Sequence, residues 1–197
     1  MEVYLVRHGE TDWNIQGRLQ GREDIPLNST GREQADACSA ALSGAGFTAI
    51  YSSPLSRAIE TAGKIASSHA CAVTISPALT ERDYGKLSGM TQDQREAWEA
   101  RGLPTGMEPW RALAGRAMAA VDRCAAEYGE NDRVALVSHG AWINSVLAVV
   151  SRHKIGSGKT QLKNTCISVL HRKEKEWEIV CYNLSPEEYT EWATTQA

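Results

Sequence analysis

The sequence has no surplus of positive charge: 21 Lys and Arg stand against 24 Asp and Glu, giving a net charge of −3. A chain so balanced has no overall field to gather nucleic acid, so an anionic ligand must be met by local cations. Long apolar runs are missing too. The stretch 141–150 is interrupted by Asn144 and Ser145 and is too short to cross a bilayer, which excludes a membrane-spanning role. Met1-Glu2-Val3-Tyr4 lacks the basic start of a secretory leader and runs into charged residues, so a cytoplasmic location is expected. Paired cysteines are also lacking. Cys38, Cys71, Cys124, Cys166 and Cys181 are odd in number, widely spaced and without a Cys-x-x-Cys step. That pattern argues against a disulfide framework or structural zinc and fits small buried thiols. No repeat and no linker rich in Gly, Ser or Pro divides the 197 residues. With 42% hydrophobic and 23% charged residues, disorder is ruled out and one domain over 1–197 is expected.

What is present alternates between strand and helix. Glu2 to Arg7 is a short strand, apolar from Val3 to Val6 and ending in Arg7-His8-Gly9, followed by a polar segment to Ser29. Ser29/Thr30 with Glu33 predicts a helix start, and its Ala and Leu residues run to Ser43. Strands are predicted at 49–52, 72–76 and 133–138, the last apolar enough to be buried on both faces. Helices are predicted from Pro54 at N1 to Ser67, over 92–101, 110–128 and 140–150. Residues 167–171 and 177–182 read as a hairpin around a charged turn, and the tail from Pro186 as a partly helical, fraying end. The expected fold is α/β: a three-layer sandwich with a mostly parallel central sheet and helices on both faces.

Ligands of such sheets gather beyond the carboxyl ends of the strands. Two strands here end alike, Val6-Arg7-His8-Gly9 and Val137-Ser138-His139-Gly140. One histidine in such a place is most simply a loop residue bonded to backbone; two in matching places suggest convergence. A neutral imidazole is a nucleophile towards phosphorus, and nearby arginines keep it unprotonated. Arginine also grips phosphate oxygens through two parallel donors, which makes Arg7 and Arg57 candidates. A carboxylic acid must then protonate the leaving oxygen, and Glu81 follows the third strand closely.

These residues lie in blocks that resemble the histidine phosphatase, or phosphoglycerate-mutase-like, superfamily. The blocks are Arg7-His8-Gly9-Glu10-Thr11-x-x-Asn14, Arg18-x-Gln20-Gly21, Ser52-Ser53-Pro54-Leu55-x-Arg57-Ala58-x-x-Thr61-Ala62, Leu79-x-Glu81-Arg82-x-Tyr84-Gly85 and Ser138-His139-Gly140. The resemblance implies a phosphoglycerate-mutase-like fold, His8 as the residue phosphorylated, and Arg7, Arg57 and His139 as the rest of a phosphate pocket. It implies Glu81 as proton donor and then base. Asn14, Gln20 and Gly21 match positions that contact the phosphoryl group, with the Gly140 and Ala141 backbone beside it. A small phosphorylated metabolite is the implied partner, with no metal and no cofactor. Homodimers are common in the family, although nothing in this sequence marks an interface.

The family divides into phosphatases, which hand the phosphoryl group to water, and mutases, which return it to a sugar acid. Arg82 and Tyr84 match mutase substrate contacts. Yet Gln92 stands where mutases carry a substrate lysine, and 90–108 holds only Arg95 and Arg101, far apart. A doubly phosphorylated intermediate needs more cations than that. A metal-independent phosphatase acting on a small monoester is the expectation, with a cofactor-dependent phosphoglycerate mutase as alternative and a non-catalytic interaction module as the remote one. Gly156-Ser157-Gly158-Lys159-Thr160 imitates the tail of a P-loop, but His153 occupies the place of its first glycine. His8, Glu10, Asp12 and His139 form a conceivable metal set, opposed by the charge of Arg7. The tryptophans read as packing, and His69, His153 and His171 as surface residues.

Overall fold

A computed structural model describes residues 1–196. Its strands are β1 (Glu2–Arg7), β2 (Ala49–Ser52), β3 (Val73–Ile75), β4 (Arg133–Ser138), β5 (Ile167–Lys173) and β6 (Glu176–Leu184), in the sheet order β3-β2-β4-β1-β5-β6. The helices are α1 (Asp12–Ile15), α2 (Ser29–Leu42), α3 (Ser56–Ala66), α4 (Gln92–Ala100), α5 (Trp110–Glu127), α6 (Gly140–Val150) and α7 (Pro186–Gln196).

Strand alternation builds the layers. Along β1 and β4, Val3, Leu5, Val134 and Leu136 turn to one face, where they meet Leu113 and Val121 of α5 and Trp142 and Ile143 of α6. Tyr4, Val6, Ala135 and Val137 turn to the other, against Leu42 of α2 and Ile65 of α3. Each such side chain withdrawn from water contributes on the order of 1.5–3 kcal/mol, which is why the central strands contain almost nothing polar.

The sheet is mixed, not mostly parallel as expected. β1 with β4, β4 with β2 and β2 with β3 are parallel, whereas β5 runs antiparallel to β1 and β6 antiparallel to β5. The cause is the connection after α6. The chain climbs back through 151–166 to the end of the sheet where β1 finishes, so β5 enters from that end, with Ile167 opposite Val6. Residues 160–165 are thereby delivered to the carboxyl edge of β1.

Two helix starts differ from expectation. The cap of α2 is Asn28, whose side chain accepts from the Gly31 N–H, one residue before the expected Ser29. Pro54 lies outside α3, whose N-cap is Leu55. The tail is helical from Pro186 to Gln196: Tyr189 is buried and its hydroxyl donates to that of Tyr4, 3.4 Å away. His69 is also half-buried, its ring 4.8 Å from that of Phe47. All five cysteines are free thiols, four of them buried.

Two glycines let the segment after β1 close on α2. A Cβ on Gly31 would strike the Glu10 carbonyl, and one on Gly9 would strike the Gly31 carbonyl. Backbone passes backbone there with no room for a side chain, holding the loop after His8 in place.

Candidate active site

The register of two neighbouring strands brings the histidines together. Arg7 is opposite Ser138 in the β1–β4 ladder, and the His8 N–H donates to the Ser138 carbonyl at 3.1 Å. The next residue of each strand is a histidine, and their ring centroids are 5.1 Å apart, close to the spacing between strands. β1 leads into α2 on one face of the sheet and β4 into α6 on the other. The histidines therefore occupy a topological switch point.

His8 is 3% exposed and His139 fully buried. The Nδ1 of His8 lies 2.6 Å from the Gly9 carbonyl oxygen. A carbonyl only accepts, so the neutral ring carries its proton on Nδ1 and keeps the Nε2 lone pair bare. Burial, then the charges of Arg57 and Arg7, push the His8 imidazole well below its ordinary range. His139 is pushed down in the same way, by burial first and Arg57 next; its Nε2 is 2.7 Å from Ser53 Oγ at the end of β2.

A consequence for stability has a definite sign. Unfolded imidazoles titrate near about 6.5, whereas these two stay neutral in the fold to lower pH. Their contribution is present in full above that value. It is lost as pH falls, because only the unfolded chain takes up the protons. The unfolding free energy from urea titrations between pH 7 and 5 is expected to fall with a slope approaching ~1.4 kcal/mol per pH unit for each histidine. His8→Gln should remove half of it, and a flat profile would show that the folded imidazoles protonate freely.

Two guanidiniums flank the rings. Arg57, in the first turn of α3, is buried and donates from Nη1 to the Glu23 carbonyl at 2.6 Å and from Nη2 to the Gly21 carbonyl at 2.8 Å. Burial brings its pKa down to about 10. Arg7 donates to the Leu162 carbonyl at 2.5 Å, and burial lowers its pKa also. Arg7 Nε, Arg57 Nε, Gln20 Oε1 and His139 Nδ1 are buried without a protein partner. Unmet polar groups of this kind cost about 1–3 kcal/mol each unless a ligand engages them. Gly21 has φ +52, and a Cβ there would lie 3.0 Å from the ring of Tyr84, so the loop bearing Gln20 packs directly on the 82–84 segment.

Glu81 accepts from the N–H groups of Ala141 and Trp142, each at 3.0 Å, and from that of Arg82 at 2.8 Å. Its carboxylate thus sits on the N-terminus of α6, where the helix dipole favours negative charge. A methyl group on Gly140 would lie 3.7 Å from Arg7 Nε and 3.9 Å from Glu81 Oε2, so Gly140 stands between cation and carboxylate. Arg82 donates from Nε to the Glu108 carbonyl at 2.9 Å and lies over the Tyr84 ring. Asn14 borders the site from α1. Its Oδ1 accepts from the Thr11 N–H at 3.0 Å and from Asn164 Nδ2 at 3.3 Å.

Several residues here escaped sequence reading. Arg116 of α5 reaches the carbonyls of Ala78, Thr80 and Glu81 and pairs with both carboxylate oxygens of Glu108, clamping the segment that carries Glu81. Thr61 accepts from the Gly9 N–H, and Asn164 donates to the His8 carbonyl. Thr61 and Ser53 stand in the resemblance blocks without a role, and nothing local marks Arg116, Glu108 or Asn164. As for the metal set, Glu10 is engaged by the Asn28 amide, and no three His, Cys, Asp or Glu side chains cluster as ligands among the described residues. Nor is any described helix long and apolar enough to cross a membrane.

Comparison with known proteins places the chain in a family. Residues 3–185 match the model of the histidine phosphatase superfamily, branch 1. A Bacillus subtilis protein named as an uncharacterized phosphatase, PhoE, is 36% identical over 183 residues, covering 93% of this chain and 94% of that protein. A Proteus mirabilis protein named as a probable phosphoglycerate mutase, GpmB, is 36% identical over 189 residues, covering 90% of this chain and 87% of its own. Among solved structures, a mycobacterial glucosyl-3-phosphoglycerate phosphatase superimposes with a TM-score of 0.83 at 28% identity, over 92% of this chain and 98% of that one. With its paired histidines between arginines at the edge of β1 and β4, the chain belongs to the histidine phosphatase superfamily and is an enzyme of that family.

Proposed function

We propose that this enzyme is a phosphatase that hydrolyses a small phosphate monoester without a metal, through a phosphohistidine on His8. The observation that carries the reading is the bare Nε2 of a buried neutral imidazole, set among arginines whose Nε donors have no protein partner. Phosphate oxygens would engage those donors and stabilise the charge spread over the equatorial oxygens in the transition state. His8 Nε2 forms a bond to phosphorus as the ester P–O bond breaks, and a proton on Glu81 passes to the departing oxygen. Water then attacks the phosphohistidine, Glu81 takes its proton, and inorganic phosphate leaves with the Nε2 lone pair restored. His139, bonded to Ser53 at the end of β2, would add a donor to the phosphoryl oxygens.

Transfer to water rather than to a sugar acid is favoured by the cations around the mouth. Gln92 faces outward on α4 and donates to Glu96. Arg22 lies within 4 Å of both Asp83 and Glu108, at 3.6 and 3.8 Å, and Arg82 is held by the Glu108 carbonyl. Arg22 is thereby neutralised by carboxylates, which leaves one cation fewer for a second phosphate. Phosphorus NMR of protein treated with a strong chelator, given 3-phosphoglycerate, a trace of 2,3-bisphosphoglycerate and a set of phosphosugars, tests this. Inorganic phosphate should be the growing signal. Rapid 2-phosphoglycerate with little free phosphate would make the enzyme a mutase, and activity lost to the chelator would refute metal independence.

A further inference from the structure

Beside Arg7 and Gly140 opens a cavity of about 630 Å³, walled by Asn14 of α1, Asn144 of α6 and residues 160–164. Its volume lies within the range of small-molecule sites. We propose that it receives the leaving group and that this group is a neutral, hydroxyl-rich alcohol, a polyol or sugar, rather than an acid bearing a second anion. The inference rests on the phosphatase reading and adds the substrate class.

Three side-chain amides on its wall have orientations fixed by the backbone. Asn144 Nδ2 donates to the Thr160 carbonyl at 2.9 Å, so that end is the NH₂ and Oδ1 is the other; that oxygen is buried without a protein partner. Asn164 Nδ2 donates to the His8 carbonyl, which leaves its Oδ1 as the unengaged end. Asn14 is reversed: its Oδ1 accepts the Thr11 N–H, so its NH₂ remains as a donor. The open wall therefore offers one acceptor, Asn164 Oδ1, and one donor, the Asn14 NH₂, with the Gln161 amide able to supply either, while Asn144 Oδ1 lies beneath the surface. A hydroxyl group donates and accepts and can satisfy all of these; a carboxylate only accepts, and would face the Asn164 oxygen unpaired.

Charge points the same way. The cavity is lined by two cations, Arg7 and Lys163. Arg7 belongs to the phosphate centre. Lys163 Nζ donates to both carboxylate oxygens of Glu188 on α7, each at 2.6 Å, so a second anion would meet an ammonium already neutralised.

The test compares sorbitol 6-phosphate with 6-phosphogluconate, which differ at the far carbon by hydroxymethyl against carboxylate, with p-nitrophenyl phosphate as reference. The expected kcat/KM is at least tenfold higher for the polyol. Glu188→Gln should shift that ratio about fivefold towards the acid by releasing Lys163. Equal values, a preference for the acid, or hydrolysis of the aryl ester alone would overturn the substrate class. An unmoved ratio in Glu188→Gln would overturn the part assigned to charge. Failure to hydrolyse even p-nitrophenyl phosphate would instead sink the phosphatase reading.

Discussion

His8→Ala is expected to lower kcat by about 10⁴-fold or more, because it removes the atom to which the phosphoryl group is transferred. The size follows from the roles in the pathway. A weakened phosphate contact slows a step that still exists, whereas loss of the nucleophile removes the covalent route altogether. Rapid acid-free quenching with labelled substrate should show a phosphorylated wild-type protein and an unlabelled His8→Ala protein. The variant vacates a buried site next to His139, so the fold should be verified by its urea midpoint. His139→Ala is the informative contrast. His139 has its Nε2 on Ser53, whereas His8 is held by a carbonyl that leaves Nε2 bare. Label should therefore still accumulate in His139→Ala, slowly. Label in His8→Ala but none in His139→Ala would reverse the two roles.

Glu81→Gln should separate substrates by how much they need an acid. For alkyl phosphates, whose leaving alkoxide must be protonated, a loss of about 10²–10⁴-fold is expected. For p-nitrophenyl phosphate, which leaves as a stable anion, the loss of acid assistance should be slight, under about tenfold. Steady-state kcat/KM for the two ester types measures the difference directly. Glutamine keeps the shape but not all the bonding. Its oxygen can retain the Arg82 and Trp142 N–H groups, while its NH₂ then faces the Ala141 N–H, so one of the three bonds is lost. That cost, about 1–3 kcal/mol, falls on stability and on both substrates alike. Equal losses for the two ester types would therefore assign Glu81 a structural part and refute its role as proton donor.

The elements legible in the sequence are those specified by nearby residues. β1, β2, β4 and α6 have the expected bounds because apolar runs of strand length, and a Gly start after a polar step, are local signals. The cap of α2 is ambiguous locally because Asn28, Ser29 and Thr30 are all good caps, and only the path from Glu10, which bonds the Asn28 N–H and side chain, selects the first. The docking of the tail has no local signal, because the partners of Tyr189 and Glu188 are Tyr4 and Lys163, far away along the chain. The antiparallel entry of β5 depends on where 151–166 lands, and no composition signal marks that.

For the site, the sequence by itself determined the residue types: two His-Gly steps at strand ends, Arg7 and Arg57 near them, and a carboxylate after the third strand. What only the tertiary structure decided is how they meet. The register of β1 on β4 set the two rings side by side, and α6 supplied the N–H groups that receive Glu81. Arg116, from a helix with no mark of chemistry, clamps the segment behind that carboxylate. The return of the chain to β5 placed 160–164 beside Arg7. A strand's pattern is written in its own residues, but the neighbour it will pair with is written in the packing of the whole sheet.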